Sequence, residues 1–420
     1  MRSCLPIIRH SLSAAYEEKS MRPKRSLAHL FTILALLFVL IMSPIATRAD
    51  VIADWNQEAV RLALLPASGL SSTGQTRPMA IVHVAIHDAV NGITRENRTY
   101  LPPSPAPAGA SLDAMFLSSL AANGLSPSDP GIAYGQWAAA SILAARSGDG
   151  AASAQYNYTA PRAGQPGVWV LLTSAPALLP GWGEVTPWVL QSNTQFLPPP
   201  PPSIHSEQYA ADYNEIKAVG SINSSTRTTE QTRIATFWRG SPTDIWNQPL
   251  RQLVASRNLS LSARARVYAL VYISVADAAI VCWNAKYLYN NWRPQPAIRR
   301  GAEDRNLLTD PDAAWTPLFA TPPHPEYPSG HTMNSSAMAV IMSNTFGESP
   351  GIPISSTITG INRQWSTFTD GVNEVIDARV YSGIHFRNSD EVGADAGTEI
   401  AHYVWAHALR PCQGGRRGCP

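Results

Sequence analysis

The chain has no excess of charge of one sign and no concentrated basic region outside its first fifty residues. Its 420 residues contain 32 Lys and Arg against 30 Asp and Glu, a formal net charge of +2. Proteins that bind nucleic acid present a dense basic surface, so this composition excludes nucleic acid as a partner. With 45% hydrophobic and only 15% charged residues, the chain is also too apolar for intrinsic disorder.

Long apolar runs are missing everywhere except at the N-terminus. Residues 22–25 hold three basic side chains, an apolar run covers 27–42, and small residues occupy most of 43–49. This order predicts a secretory signal over 1–49 that is cleaved after Ala49, and an uncleaved membrane anchor is the alternative. We therefore expect an exported protein, periplasmic or extracellular, with no membrane segment after the signal is removed.

Cysteine is scarce: the chain has four, and loss of the signal segment would leave Cys282, Cys412 and Cys419. Cys412 and Cys419 flank a glycine-rich stretch and could form a disulfide in an oxidising compartment, or remain two free thiols on a frayed tail. Cys282 lies in an apolar run, which predicts a buried and inert thiol.

Strand-like alternation is also scarce, and helical spacing dominates wherever a pattern exists. The predicted helices cover residues 79–90, 133–145, 206–218, 264–290, 331–346 and 390–409. This set favours an all-α architecture. Five consecutive prolines at 198–202 predict a stiff surface spacer, a ligand for a proline-recognising domain being the alternative. They would divide the chain into helical parts 50–202 and 203–411, with a tail over 412–420.

Polar groups suited to chemistry are concentrated in three segments of the C-terminal third. In the first, Lys286 and Arg293 are seven positions apart at the end of the long apolar helix. Seven positions are about two helical turns, so the two cations can share one face. A solvated helix end would carry the same residue types.

The second segment is His324-Pro-Glu-Tyr-Pro-Ser329-Gly330-His331, in which prolines prevent a helix until His331 begins one. The backbone N–H groups of Ser329 and Gly330 would then point to an anion at the helix N-terminus. A capping serine explains Ser329 without a function, but it does not explain the two histidines.

The third segment places Arg379 six positions before His385, with Gly383 between them and a helix following from Asp390. A single histidine in an apolar stretch is usually a satisfied core residue. Taken together, however, the cations, histidines and backbone donors of the three segments suit a tetrahedral oxyanion, which needs several donors at once.

Lys-x6-Arg-Pro, Pro-Ser-Gly-His and Arg-x5-His, in this order, resemble the signature shared by vanadium-dependent haloperoxidases and type 2 phosphatidic acid phosphatases. The resemblance covers residues 286–390 and extends only loosely to 79–91 and 180–183. It implies an all-α helical bundle of the haloperoxidase type, with the oxyanion site at the centre of a four-helix core.

The resemblance also implies a role for each matching residue. Six residues would bind the vanadate cofactor: Lys286, Arg293, Ser329, Gly330, Arg379 and His385. His385 would be the metal ligand, or the phosphorylated nucleophile of a phosphatase, and His331 would be the general acid/base. Trp283 and His324 match residues of the halide region, where a histidine in place of phenylalanine favours bromide or iodide.

Two positions depart from the family pattern. Ala378 precedes Arg379 where the family usually has serine or glycine, and this removes one hydrogen bond. Four residues separate His385 from Asp390 where the pattern has three before the acidic residue. We therefore expect that Asp390 does not orient the His385 imidazole, which weakens the phosphatase interpretation.

The sequence thus predicts an exported haloperoxidase whose partners are hydrogen peroxide, a halide and a small organic acceptor. An exported acid phosphatase that uses the same pocket is the second interpretation. A non-catalytic oxyanion-binding helical protein is the third.

Overall fold

The computed structural model describes residues 51–103 and 130–412. Besides four short 3-10 helices, these ranges contain eleven α-helices and one β-hairpin: α1 (Val51–Leu64), α2 (Ser72–Thr94), α3 (Pro130–Ala145), α4 (Glu207–Val219), α5 (Thr229–Phe237), α6 (Pro242–Ser256), α7 (Leu261–Tyr289), α8 (Pro294–Arg299), α9 (Gly330–Phe346), β1 (Ile354–Ile358), β2 (Ile361–Trp365), α10 (Phe368–Tyr381) and α11 (Arg387–His407). The predicted all-α class is confirmed, and each of the six predicted helices is present.

Helix α7 forms the centre of the core. The Ser260 side chain caps its first turn by accepting the Ala263 N–H, and Asn290 ends it in the left-handed conformation at φ 51°. Apolar residues surround the helix on all sides, as expected of a fully buried helix. It is long and apolar enough to cross a membrane, and 94% of its most apolar window is buried inside the protein. Helices α2, α9 and α11 pack against it.

Helices α9 and α11 approach each other closely because α11 carries glycine at the contact. A Cβ at Gly393 would lie 2.7 Å from the Ser329 carbonyl oxygen, and a Cβ at Gly397 would overlap the Met333 carbonyl. Larger residues would push the helices apart. This contact brings the start of α9, which follows the second polar segment, against the helix that follows the third.

Several elements were not predicted, namely α1, α5, α6, α8, α10 and the hairpin. The α6 sequence contains Pro249, and α8 has only six residues, so neither shows a long helical pattern. The hairpin pairs Ile354 with Trp365 and turns at Thr359 and Gly360, both at positive φ.

The domain division at residue 202 stays a prediction. One hydrophobic core includes Val84 and Trp188 from before this boundary and Ile245 and Met333 from after it. The proline run is anchored at two places, where the Pro198 and Pro199 carbonyls accept the Tyr289 and Tyr327 hydroxyls.

The predictions for the chain ends fall mostly outside the described residues. These include the signal segment 1–49 and Cys419. Cys412 is disulfide-bonded, so a free thiol at this position is wrong, while its pairing with Cys419 stays a prediction. Cys282 is a buried free thiol, as predicted.

Candidate active site

Lys286 lies in the last turn of α7 and is fully buried. Its Nζ donates to the backbone carbonyls of Pro325 at 3.2 Å, Glu326 at 2.8 Å and Pro328. Burial lowers the pKa of Lys286 to about 8. The three carbonyls occupy the three ammonium donors, so in this arrangement Lys286 contributes charge to the site rather than a free N–H group.

Arg293 does not share a helical face with Lys286, which corrects the prediction from their spacing. Helix α7 ends at Tyr289, the chain reverses at Asn290, and Arg293 is the N-cap residue of α8. Asn290, in the left-handed conformation, ends the helix between the two cations, so helical spacing does not relate their side chains. The tertiary fold brings them to one site instead.

The buried guanidinium of Arg293 joins the three polar segments. Nε donates to the His324 carbonyl at 3.0 Å, and Nη2 lies 2.9 Å from His324 Nδ1. Nη1 donates to the Ile384 carbonyl at 2.8 Å and lies 3.2 Å from His385 Nε2. Burial lowers the pKa of Arg293 to about 10, which leaves it charged at neutral pH.

Arg379, in the last turn of α10, supplies the third buried cation. Its Nη1 donates to the Trp238 carbonyl at 3.1 Å, while its buried Nε has no hydrogen-bond partner. A buried donor without a partner is costly, so it marks a place where a ligand can bind. Burial also lowers the pKa of Arg379 to about 10.

His385 is held by a carboxylate that the sequence analysis missed. Its Nδ1 lies 2.8 Å from Glu326 Oε1, and both side chains are buried. Burial, and then the cations Arg293 and Lys286, hold the pKa of His385 well below its ordinary value. Because neutral His385 donates from Nδ1, its Nε2 carries the lone pair and faces Arg293.

Asp390 is not that carboxylate, in line with the expectation from its spacing. It is fully buried, and neither carboxylate oxygen has a hydrogen-bond partner. Burial raises the pKa of Asp390 well above its ordinary value. Ser329 and Arg379 interact electrostatically with Asp390, but neither makes a hydrogen bond of normal geometry to it.

Ser329 and Gly330 form the start of α9. Ser329 is the N-cap residue, yet its side chain does not cap the helix, and its buried Oγ has no hydrogen-bond partner. The capping explanation for Ser329 is therefore wrong. The Ser329 N–H also differs from the prediction, because it donates to the Ser389 carbonyl at 3.0 Å. The Met333 N–H donates to the Ser329 carbonyl at 3.2 Å, and the N–H groups of Gly330, His331 and Thr332 precede this first intrahelical bond.

His331 follows directly and is half-buried. Its Nε2 lies 3.2 Å from the Gly240 carbonyl. Burial, and then the charge of Arg379, hold the pKa of His331 well below its ordinary value. A neutral imidazole at this position can accept a proton from a group bound at the start of α9 once its contact with Gly240 is exchanged.

Trp283 and His324 form one side of the site. Their ring centroids are 5.1 Å apart, and Lys286 Nζ lies 5.7 Å from the Trp283 centroid. The indole Nε1 donates to the Leu178 carbonyl at 3.2 Å, which fixes the ring. The two side chains predicted for the halide region are therefore neighbours.

The turn that directs His385 requires glycine. Gly383 has φ 78°, and a Cβ on it would overlap the Gly220 carbonyl. Both the conformation and the space exclude other residues. Gly383 therefore fixes the path between Arg379 and His385.

Together, the six residues predicted to bind an oxyanion lie around the start of α9. Two buried donors, Ser329 Oγ and Arg379 Nε, are unpaired, and the lone pair of His385 Nε2 faces Arg293 Nη1 at 3.2 Å. No group of three His, Cys, Asp or Glu residues suited to a metal ion occurs within 51–103 and 130–412. The donors fit a tetrahedral oxyanion held by charge and hydrogen bonds, with at most one histidine as a covalent partner.

Comparisons with known proteins find similar chains among the vanadium-dependent haloperoxidases. Residues 266–414 match the family model of the second helical-bundle domain of vanadium chloroperoxidase. The vanadium chloroperoxidase of Curvularia inaequalis is 26% identical over 36% of this chain, and the match spans only 30% of that relative's length.

Solved structures show the same fold over most of the chain. A bacterial vanadium-dependent iodoperoxidase superposes with a TM-score of 0.73 at 22% identity, covering 86% of this chain and 97% of that protein. The holo form of a bacterial vanadium-dependent chloroperoxidase has a TM-score of 0.63 at 16% identity, covering 80% and 93%. Residues 266–414 thus resemble the second helical-bundle domain of vanadium chloroperoxidase, and the fold over most of the chain is that of the solved vanadium-dependent haloperoxidases.

Proposed function

We propose that this chain is an exported, vanadate-dependent haloperoxidase that oxidises a halide with hydrogen peroxide to hypohalous acid. The observation that carries the proposal is the convergence of three buried cations on His385. Lys286, Arg293 and Arg379 come from separate parts of the chain and are buried at considerable cost in desolvation. A bound multivalent anion would offset this cost.

The residues present fit vanadate. His385 Nε2 would bind the metal, while Arg379 Nε, Ser329 Oγ and the N–H groups of the first α9 turn would hold its oxygens. When bound, vanadate would act as a Lewis acid toward hydrogen peroxide. The positive charges of Lys286 and Arg293 would lower the free-energy cost of placing the anion in a buried site. His331 would act as the general acid/base for the bound oxidant.

The halide would approach from the Trp283–His324 side. His324 is held beside the Arg293 guanidinium by a 2.9 Å contact, so this side is polar and close to a positive charge. A polarizable anion suits such a surface, and we propose bromide or iodide as the halide. The hypohalous acid would then react with a small organic acceptor.

An exported acid phosphatase is the second candidate, and one observation favours it. A carboxylate does hold the His385 imidazole, although it is Glu326 rather than Asp390. An imidazole oriented in this way is equally suited to attack phosphorus and form a phosphohistidine. Glu326 can therefore orient the histidine of a phosphatase, a role for which Asp390 is unsuited by its spacing.

Paired assays on one preparation separate these functions. The protein from residue 50 onward, incubated with orthovanadate, hydrogen peroxide and bromide or iodide, should halogenate a phenolic dye. His385→Ala should abolish this, whereas His205→Ala, at an exposed histidine, should not. Rapid hydrolysis of an aryl phosphate without halogenation would establish the phosphatase. Vanadate binding with neither activity would establish the non-catalytic binder.

A further inference from the structure

We propose that Glu326 is the positioning residue of the site, which sets the tautomer and the direction of His385. The inference rests on the proposed role of His385 as the covalent partner of the oxyanion. Glu326 lies in the stretch Pro325-Glu326-Tyr327-Pro328, and none of the recognised sequence motifs assigns it a role.

One oxygen of Glu326 holds both the ring and the backbone of the third segment. Oε1 lies 2.8 Å from His385 Nδ1 and accepts the backbone N–H of Phe386 at 3.1 Å. Two contacts to adjacent residues restrict the imidazole rotation as well as its position. Burial raises the pKa of Glu326 to about 7, so the tautomer is identified from Arg293 instead. Arg293 Nη1 can only donate, so His385 Nε2, 3.2 Å away, accepts and the proton lies on Nδ1.

Glu326 is itself fixed from the first segment. Its N–H donates to the Asn291 carbonyl at 3.0 Å, and its Oε2 accepts from Asn291 Nδ2 at 3.3 Å. Its own carbonyl accepts Lys286 Nζ at 2.8 Å. Glu326 thus contacts Lys286 through its backbone and His385 through its side chain. A substitution of the side chain should therefore change the position of His385 and leave the Lys286 contact intact.

Asp390 provides a matched comparison within the same cluster. Both carboxylates are fully buried near the three cations, but Asp390 makes no hydrogen bond to His385. If only a buried carboxyl group near the cations were needed, substitutions of Glu326 and Asp390 would affect His385 equally. If the contact to Nδ1 matters, only Glu326 controls the tautomer.

The first measurement needs no substitution. In the vanadate-free protein labelled with 15N-histidine, the His385 signals, assigned by their absence in His385→Ala, should show the proton on Nδ1. The alternative tautomer, with the proton on Nε2, would overturn the proposal whatever the variants do.

The variants then test control by Glu326. Glu326→Leu removes the acceptor and should produce a mixture of tautomers, while orthovanadate binding should weaken about 10- to 100-fold, the usual effect of losing a partner of a ligating histidine. Glu326→Gln keeps a neutral acceptor and should restore the Nδ1–H form and most of the affinity. Asp390→Asn should leave the tautomer unchanged.

A purely structural role gives a different result. In that case Glu326→Leu and Glu326→Gln would lower the unfolding free energy and the orthovanadate affinity in parallel, with the tautomer unchanged, and the proposal would fail. The outcome is also independent of the proposed activity. A wild-type protein without halogenation but with Glu326-dependent vanadate affinity would reject the haloperoxidase alone, whereas full halogenation by Glu326→Leu would reject the positioning role alone.

Discussion

Two buried polar clusters of this molecule use similar residue types in opposite ways. In the first, His83 of α2 stacks between Tyr268 and Tyr272, at centroid distances of 5.2 and 4.8 Å. Asn56 Nδ2 lies 3.1 Å from both His83 Nε2 and the Tyr272 hydroxyl. No member of this group carries a charge, because burial lowers the pKa of His83 to about 3.

The second cluster, around His385, buries three cations together with Glu326 and Asp390. Both clusters leave buried polar atoms without a hydrogen-bond partner, namely His83 Nδ1 and Asn56 Oδ1 in the first and Ser329 Oγ and Arg379 Nε in the second, so charge is what distinguishes them. The difference teaches that a buried histidine alone says little about function. A concentration of buried positive charge is costly without a compensating anion, and it indicates an anionic ligand.

The largest expected effect is on ligand binding. Arg293→Met removes one of the three buried cations together with the guanidinium beside His385, and orthovanadate affinity should fall about 100-fold, since a charged contact to the anion contributes about 1.5–3 kcal/mol. Titration of the vanadate-free protein measures this. Arg61→Met, at an exposed ion pair, is the control. If both variants bound orthovanadate as tightly as the wild type, the cluster around His385 would not be an anion site.

The next effect is on stability without binding. Asp277 on α7 accepts the N–H groups of Trp188 at 2.6 Å, Val189 at 2.9 Å and Leu190 at 3.2 Å. Asp277→Ala leaves three donors without an acceptor, and the free energy of unfolding should fall by about 3–5 kcal/mol. Urea denaturation measures it, with exposed Asp395→Ala as the control. A change of orthovanadate affinity above threefold in the folded variant would contradict this separation.

Acid should weaken the neutral cluster. The folded-state pKa of His83, about 3, is below the unfolded value of ~6.5, so the unfolded chain takes up a proton first as the pH falls. The stability contributed above pH 6.5 is lost toward pH 3, and between pH 7 and 5 the loss is about 2 kcal/mol. His83→Gln should reduce the acid-induced loss of unfolding free energy by that amount.

The control for this pH experiment is His205→Gln, at an exposed histidine. It should leave the pH dependence of the unfolding free energy as in wild type. The same dependence in His83→Gln and wild type would show that His83 titrates normally in the folded protein.

The smallest effect should come from Cys282, which lies beside the charged cluster but belongs to the core. Burial raises the pKa of its thiol to about 11, so it stays protonated and unreactive. Cys282→Ala should lower the unfolding free energy by only about 1 kcal/mol and leave orthovanadate affinity unchanged. A large loss of affinity would instead assign Cys282 to the site.

Much of the fold was accessible from the sequence because its signals are local. The apolar residues over 264–290 predicted the central helix, and the structure places it at Leu261–Tyr289. The three polar segments were also identified correctly as one neighbourhood. Elements without a strong local pattern, such as α6 with its internal Pro249, were missed, because packing rather than periodicity stabilises them.

The residue types by themselves determined which cations, histidines and hydroxyls are available to hold an anion, since side-chain chemistry does not depend on the fold. The tertiary structure decided how the charges meet. Arg293 reaches the site through the reversal at Asn290, and Glu326 reaches His385 across 59 positions of sequence. Such long-range contacts depend on packing between distant helices, so no local pattern could assign the carboxylate that holds the histidine.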